Sequence, residues 1–239
     1  MDDLVISHHN GINVLRDDLL LGGSKTRYLE HILNKNAKGY VYATNVYGGF
    51  QIALSGYGLQ NKKPVHIFCS HRAKTHENTK VCYDLKANVH ELKNKHGKGS
   101  GIYFSYVTQK AEQFAEQNGL QLVNFGGNYP AVIENIAFTM RRIITKLGKE
   151  PDQIWCAVGS GTLLKGILKG TKKANVFGVV VGKSFEMQHE RLTLLPYPKP
   201  FSYESRFPVP FKSTKNYDAK AFEYCLNFGT GDKFFWNVY

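Results

Sequence analysis

Short apolar runs alternate with longer stretches of helical spacing along this chain, and this alternation limits the fold more than any other feature. Six runs are candidate strands, and most of them are short, apolar and rich in Val or aromatic residues, as strands buried on both faces of a sheet should be. They span residues 40–44, 65–69, 88–92, 120–125, 154–158 and 176–181. Strands that alternate with helices predict an α/β fold, in which helices cover both faces of mainly parallel sheets.

Three segments have the apolar spacing of amphipathic helices, at residues 25–34, 130–146 and 219–226. Pro130 suits the first turn of the second helix, and Gly148 suits its end. Residues 194–212 alternate proline with aromatic residues, which predicts an ordered irregular loop of the kind that often lies over a functional site. The last five aromatic residues, from Phe228 to Tyr239, predict a packed terminus.

The composition, with 42% apolar and 21% charged residues among 239, is typical of a globular protein. No apolar run approaches the roughly 18 residues of a membrane span, and the acidic N-terminus does not resemble a secretory signal. We therefore expect a cytoplasmic protein. The four cysteines have no metal-ligand spacing, which predicts reduced, mostly buried thiols and no metal site. They are Cys69, Cys82, Cys156 and Cys225.

The charge is the unusual bulk property, because 31 Lys and Arg residues against 19 Asp and Glu residues leave a net charge of +12. A positive field favours anionic partners such as phosphates or nucleic acid. The basic residues are spread along the chain instead of forming a tail. A solvated surface that only keeps the protein soluble is an equally good interpretation.

A loop with two glycines follows the predicted strand at 154–158 and precedes a helical stretch. Gly159 and Gly161 let the backbone turn sharply and approach a ligand closely. The N-terminus of the following helix directs free N–H groups toward that point, and Ser160 and Thr162 add hydroxyl donors. The loop predicts a phosphate site, although such a turn can be purely structural. No Gly-Lys-Ser/Thr sequence ends it, so it is not a P-loop.

Lys25 occupies an unusual position for a surface lysine. Gly22 and Gly23 predict a turn, Ser24 can cap a helix, and Lys25 then falls in the first helical turn. The helix dipole disfavours a cation there, and an amine that is destabilised as a cation is a better Schiff-base nucleophile. Without further evidence, one of many basic residues near a helix cap is the simpler interpretation.

Four segments resemble, in the same order, segments of the fold-type II pyridoxal-phosphate enzymes. The similarity is greatest to the branch of aminocyclopropane-carboxylate deaminase and D-cysteine desulfhydrase. That branch carries its cofactor lysine in a stretch of the form Arg-Glu-Asp-Leu…Gly-Gly-Asn-Lys-x-Arg-x-Leu-Glu, which residues 16–30 match. Residues 44–53 resemble the family's substrate loop, residues 158–166 its phosphate loop, and residues 217–222 its late Tyr-Thr-Gly-Lys-Ala-Met segment.

The resemblance implies two mainly parallel open sheets flanked by helices, with pyridoxal 5'-phosphate bound between two domains. The large domain would comprise residues 1–43 and 119–239, and the small substrate-loop domain residues 44–118. Lys25 would carry the cofactor as a Schiff base and act as acid or base once freed, while the loop at 159–162 would hold the cofactor phosphate. Family members are commonly dimers, which implies a homodimer.

The resemblance also implies roles for other residues. Asn45, Gly48 and Gly49 would bind the carboxylate of the substrate. Asp218 by position, or Glu204, would face the pyridine nitrogen of the cofactor.

The chain departs from this family in three respects. Ser24 stands where the branch has Asn, and the chain is shorter than typical members, mainly after Gly182. Tyr47 falls where the family has either an Asn that faces the cofactor's phenolic oxygen or the serine used for ring opening. A tyrosine can still donate a hydrogen bond to that oxygen, but it is too bulky to serve as the same small nucleophile. A ring-opening deaminase is therefore not expected.

Together these features predict a pyridoxal-phosphate lyase or deaminase-type enzyme that acts at the α-carbon of an amino acid or amine. Elimination, deamination, racemisation and decarboxylation stay open. One alternative is an enzyme for an amino acid attached to DNA, because phage-borne relatives of the resembling family are thought to process such groups and the net charge suits a polyanion. Another is a non-catalytic protein that binds nucleic acid or the cofactor. A nucleotide in the phosphate loop is a further alternative, although no acidic pair for Mg²⁺ stands near that loop.

Overall fold

The computed structural model describes residues 4–94, 96–98, 101–124, 129–182 and 184–239. In chain order the strands are β1 (Ile6–His9), β2 (Ile12–Arg16), β3 (Tyr40–Ala43), β4 (Val65–Ser70), β5 (Asn88–Leu92), β6 (Gln121–Val123), β7 (Gln153–Val158), β8 (Asn175–Val180), β9 (Leu192–Pro196) and β10 (Lys233–Asn237). The α-helices are α1 (Leu29–Ile32), α2 (Phe50–Gln60), α3 (Glu77–Asp84), α4 (Phe104–Asn118), α5 (Pro130–Leu147), α6 (Thr162–Gly170) and α7 (Asp218–Phe228). Two 3-10 helices, Asp17–Leu19 and Gly23–Tyr28, precede α1.

The chain divides into two compact units, one formed by residues 1–20 and 128–239 and the other by residues 21–127. Each unit is built on one sheet with helices packed against it. The predicted α/β class with two mainly parallel sheets is thereby confirmed. The division differs from the expected domain boundaries, because residues 21–43 and 119–127 group with the second unit. Strand β3 joins that unit because it pairs with β4 as well as with β6, and the turn at Gly22 packs on α2.

The first unit contains a six-stranded sheet in the order β1-β2-β10-β7-β8-β9. Only β1 and β2 pair antiparallel, and the other neighbours are parallel. Strand β10 lies between β2 and β7, where Phe235 pairs with Val14 and Trp155. All three side chains are fully buried. The last strand of the chain therefore forms part of the centre of this sheet.

Helices α5 and α6 pack closely against each other in the first unit, because α6 has glycines where the two helices meet. A Cβ on Gly166 would lie 2.4 Å from a methyl carbon of Ile136, and one on Gly170 would lie 2.7 Å from the Ala137 carbonyl oxygen. Because Gly166 and Gly170 carry no side chain, the backbones of α5 and α6 can approach closely at these two positions. This contact fixes α6, whose first turn follows the predicted phosphate loop.

The second unit contains a four-stranded, wholly parallel sheet in the order β5-β4-β3-β6. Its core joins β3 and β4 to α4, with buried Val41, Phe68 and Ala111 at the centre. The loops that follow parallel strands leave the sheet at its carboxyl edge, where ligands of such sheets usually bind. Residues 44–49 after β3 and residues 71–76 after β4 therefore leave the sheet at the same edge.

Most of the predicted strands and helices are present, with three differences. Helix 25–34 begins as the 3-10 helix Gly23–Tyr28 and becomes α-helical only at α1. Part of the predicted loop at 194–212 belongs to β9, which pairs with β8. The predicted packed terminus contains β10. The last residue of the run at 120–125 lies outside the described part of the chain.

Within the described ranges, no helix is long and apolar enough to cross a membrane. All four cysteines are buried and unpaired by disulfides, as expected from their spacing. The described residues contain no group of three or more His, Cys, Asp or Glu side chains arranged to hold a metal ion.

Candidate active site

Lys25 lies in a tight turn that packs directly on α2. Gly22 and Gly23 have φ angles of 85° and 72°, which only glycine adopts without strain. A Cβ on Gly22 would lie 2.4 Å from the backbone nitrogen of Ala53. Gly22, not Ser24, is the cap of the 3-10 helix, and no side chain caps it. Lys25 itself is partly buried.

The predicted substrate loop, residues 44–49, runs from the end of β3 to the start of α2. At its centre Val46 has a φ of 65° and is 2% exposed. A β-branched residue in this left-handed region is an outlier. Such strain persists only where the surrounding contacts enforce it, and it is concentrated at functional sites.

Two side-chain amides hold this loop in its strained conformation. Gln51 is fully buried, and its Nε2 donates to the carbonyl oxygens of Val46 at 2.7 Å and Gly48 at 3.1 Å. Asn78 on α3 donates from Nδ2 to the carbonyl oxygens of Val46 at 3.2 Å and Tyr47 at 3.1 Å. Neither residue was predicted from the sequence as a site residue. Asn78 is distant along the chain, and only the packing of α3 beside α2 brings it to the loop.

Tyr47 and Asn45 take different parts in the loop. The backbone N–H of Tyr47 donates to Asn45 Oδ1 at 3.3 Å, so the Asn45 side chain helps to form the turn. The Tyr47 ring is 42% exposed. Its centroid lies 4.9 Å from the guanidinium carbon of Arg72 and 5.1 Å from the ring centroid of His76. The exposed phenol is thus fixed by a cation and an edge-on ring while remaining accessible.

Thr44 begins the loop with a buried hydroxyl. The side chain is 1% exposed, and within the described residues its Oγ1 has no hydrogen-bond partner. Leaving such a group unsatisfied costs about 1–3 kcal/mol. A polar group bound at this loop could satisfy it.

The predicted phosphate loop joins β7 to α6 as expected. Gly161 caps α6 with a φ of 78°, and a Cβ there would lie 2.1 Å from Cε2 of Phe185. The hydroxyl oxygens of Ser160 and Thr162 are 3.1 Å apart. The first N–H groups of α6 have no acceptors within the helix, and the helix dipole favours an anion there. This arrangement fits a phosphate group.

Tyr217 and Asp218 lie beside this loop. The Tyr217 hydroxyl forms a hydrogen bond with the backbone of Gly159, while burial raises the pKa of Tyr217 and the neighbouring Asp218 raises it further. Asp218 is fully buried at the start of α7, and its Oδ2 accepts from the backbone N–H of Tyr239 at 3.0 Å. The other candidate for the pyridine nitrogen, Glu204, is exposed.

The structure therefore forms two clusters from the predicted site residues. In the second unit, the Lys25 turn packs on the helix that follows Asn45, Tyr47, Gly48 and Gly49. In the first unit, the residue preceding Asp218 contacts the loop of Gly159, Ser160, Gly161 and Thr162. Tyr217 was not predicted as a site residue, although it belongs to the segment at 217–222 in which Asp218 was predicted to face the pyridine nitrogen.

Comparisons with known proteins agree with this architecture. A family model described as pyridoxal-phosphate dependent enzyme matches residues 6–192. The fold resembles that of an aminocyclopropane-carboxylate (ACC) deaminase homologue, with a TM-score of 0.76 and 18% identity over 95% of this chain and 83% of the other. It also resembles O-acetylserine sulfhydrylase isoform 3 from Entamoeba histolytica, with a TM-score of 0.70 and 17% identity over 98% and 84% of the two chains.

A third similar structure is a hydrogen sulfide-producing enzyme from Fusobacterium nucleatum, with a TM-score of 0.70 and 14% identity over 99% of this chain and 94% of the other. At such low identity, these likenesses establish the shared fold alone. A search by sequence among curated proteins found no match.

Proposed function

Because the chain belongs to the family of pyridoxal-phosphate dependent enzymes, we propose that it is a lyase or deaminase-type enzyme acting at the α-carbon of an amino acid or amine. The observation that carries this proposal is the packing of the Lys25 turn on α2, directly after the strained loop at 44–49. An amine nucleophile and a rigid loop are thereby held side by side in one compact unit.

The residues present fit the cofactor of the family, pyridoxal 5'-phosphate. Lys25 would carry it, and the loop of Gly159, Ser160, Gly161 and Thr162 would hold its phosphate by the N–H groups and hydroxyls at the start of α6. Buried Asp218 would face the pyridine nitrogen, a role for which an exposed carboxylate such as Glu204 is less suited. When bound, this cofactor withdraws electrons from a carbanion at the α-carbon of the substrate.

The loop at 44–49 would orient the substrate. Gly48 and Gly49 have no side chains to exclude a carboxylate, and Asn45 holds the turn that precedes them. The Tyr47 hydroxyl would donate a hydrogen bond to the cofactor's phenolic oxygen, and Lys25 Nζ would move the proton at the α-carbon. The size of Tyr47 argues against the ring-opening reaction, so elimination, deamination, racemisation and decarboxylation are the reactions that we propose to test.

The first test is the colour of the purified protein incubated with pyridoxal 5'-phosphate. We expect a yellow lysine-bound cofactor that borohydride reduction bleaches, and we expect Lys25→Ala to lack it. Lys38→Ala, an exposed lysine of the same unit, should keep the colour. A wild-type protein that stays colourless, or a Lys25→Ala variant that is yellow and reducible, would contradict the proposal.

A second candidate function is the same chemistry on an amine attached to nucleic acid. The observation that favours it is a groove in the second unit lined by Arg72, Lys74 and Lys98, together with the net charge of +12. Turnover of a free amino acid by the yellow enzyme, with no turnover of an amine-bearing oligonucleotide, would exclude this candidate.

A further inference from the structure

A basic groove lies at the carboxyl edge of the parallel sheet in the second unit. It has a volume of about 740 Å³ and is lined by Ser70, His71, Arg72, Ala73, Lys74, Gly97 and Lys98. Five of these residues come from the end of β4 and the loop after it, and the other two come from the loop after β5. The groove is therefore formed by loops at the edge where the candidate substrate loop also leaves the sheet.

The side chains that line this groove include three cations and no acid. Within the described residues, Arg72, Lys74 and Lys98 form no ion pair. The nearby carboxylate of Glu91 is engaged by His71 Nδ1 at 2.7 Å and by the Tyr83 hydroxyl at 3.1 Å.

Arg72 is held in place by an aromatic ring instead of a carboxylate. Its guanidinium carbon lies 4.9 Å from the centroid of the Tyr47 ring. A cation–π contact fixes the planar group without using its N–H donors in an ion pair. No described residue accepts a hydrogen bond from these donors, so they can bind two oxygens of one phosphate, which is the geometry that arginine recognises best.

We propose that this groove binds phosphate groups of a ligand other than the cofactor. Three convergent cations without a carboxylate suit a ligand with several negative charges better than a single carboxylate. The phosphates could belong to a nucleic acid strand or to a small phosphorylated compound. Exposed Tyr47 beside Arg72 adds a surface on which a base could stack.

The test measures binding to the yellow holoenzyme with two probes. One is a fluorescein-labelled single-stranded oligodeoxynucleotide of about twelve nucleotides, a length within the usual range of single-strand sites, followed by anisotropy at several salt concentrations. The other is inorganic pyrophosphate, followed by titration calorimetry. The groove variant is Lys74→Glu/Lys98→Glu. Its control, Lys38→Glu/Lys62→Glu, makes the same charge change at exposed lysines that precede β3 and β4, at the opposite edge of the sheet.

We expect the groove variant to weaken binding of the responding probe about tenfold or more at low salt. For the oligonucleotide, two lost phosphate contacts should also make the negative slope of log K against log salt shallower by about 1.4. The control pair should retain most of the affinity, and Lys74→Gln/Lys98→Gln should lie between wild type and the charge reversal. Binding of the oligonucleotide through the groove, with or without pyrophosphate, would identify a nucleic acid strand as the source of the phosphates. Binding of pyrophosphate alone would identify a small phosphorylated compound.

The inference is overturned if neither probe binds the wild type, or if the control pair loses as much affinity as the groove variant. All variants should stay yellow with pyridoxal 5'-phosphate, because none of these lysines is proposed to hold the cofactor. A colourless wild type that still binds a probe through the groove would refute the proposed function and leave this inference intact.

Discussion

Val46 holds a backbone conformation that costs a β-branched residue on the order of 1–3 kcal/mol, and it does so in the middle of the candidate substrate loop. The cost is balanced by hydrogen bonds from Gln51 and Asn78 to three consecutive carbonyls, those of Val46, Tyr47 and Gly48. With its carbonyls committed, the loop has little freedom to adopt another shape. A rigid loop loses less entropy when it binds a substrate.

Gln51→Leu removes the buried donor of two of these bonds while keeping a side chain of similar size. We expect the free energy of unfolding to fall by about 1–3 kcal/mol, because the Gly48 carbonyl loses its donor while the Val46 carbonyl keeps only that of Asn78. Urea unfolding would measure it. Gln60→Leu, at the exposed end of the same helix, should change stability by less than about 0.5 kcal/mol. Equal effects in the two variants would show that Gln51 does not hold the loop.

Some of these residue-level features could be predicted from the sequence, and others could not. Lys25 could be predicted because Gly22 and Gly23 indicate a turn directly before it. The φ of Val46 has no such signal, since valine is among the residues least suited to the left-handed region. Tyr217 reaches Gly159 only through the pairing of distant segments, which no local pattern encodes.

At the scale of elements, the Lys25 turn and α2 behave as one block because Gly22 allows their backbones to touch. The nearest atoms to a Cβ on Gly22 belong to the backbone of Ala53, which cannot rotate away as a side chain could. The position of Lys25 relative to the loop at 44–49 therefore depends on a single missing methyl group.

Gly22→Ala tests this dependence, with Gly11→Ala as its matched control. Both glycines have left-handed φ angles, 85° and 74°, but a Cβ on Gly11 would meet no atom within 4 Å. We expect Gly11→Ala to cost about 1 kcal/mol of stability from backbone strain alone. Gly22→Ala should cost a further 1–3 kcal/mol or so from the clash, and it should reduce the fraction of protein with yellow lysine-bound cofactor. Urea unfolding and absorbance would separate the two effects, and equal losses of stability would argue against the packing.

The parallel strands were the most predictable elements, because strands buried on both faces have continuous apolar runs that a sequence displays directly. Strand β10 was taken for a packed terminus, since its place between β2 and β7 depends on pairing with residues more than 200 positions earlier. Part of β9 was likewise assigned to a loop, because Pro196 at its end resembles the prolines that follow.

At the scale of the whole molecule, the net charge of +12 acts on every anion that approaches the protein. A field of one sign raises the local concentration of anionic ligands and the rate at which they bind. Pyridoxal 5'-phosphate is itself such an anion. The excess of basic residues, which the sequence could not assign to a partner, would therefore favour loading of the cofactor as well as binding at the groove.

Cofactor binding should stabilise the folded protein as a whole, because the proposed contacts of Lys25 and the loop at 159–162 exist only when the chain is folded. At about 100 times its apparent Kd, pyridoxal 5'-phosphate should add about 2.7 kcal/mol, which corresponds to a rise in Tm of roughly 5–10 °C for a chain of this length. Lys25→Ala should lose most of this rise, because the covalent part of the binding is gone. Pyridoxal, which lacks the phosphate, should give a smaller rise in the Tm of the wild type at the same concentration. Differential scanning calorimetry would measure all three. An equal rise with pyridoxal and with its phosphate would mean that the loop at the start of α6 holds no phosphate.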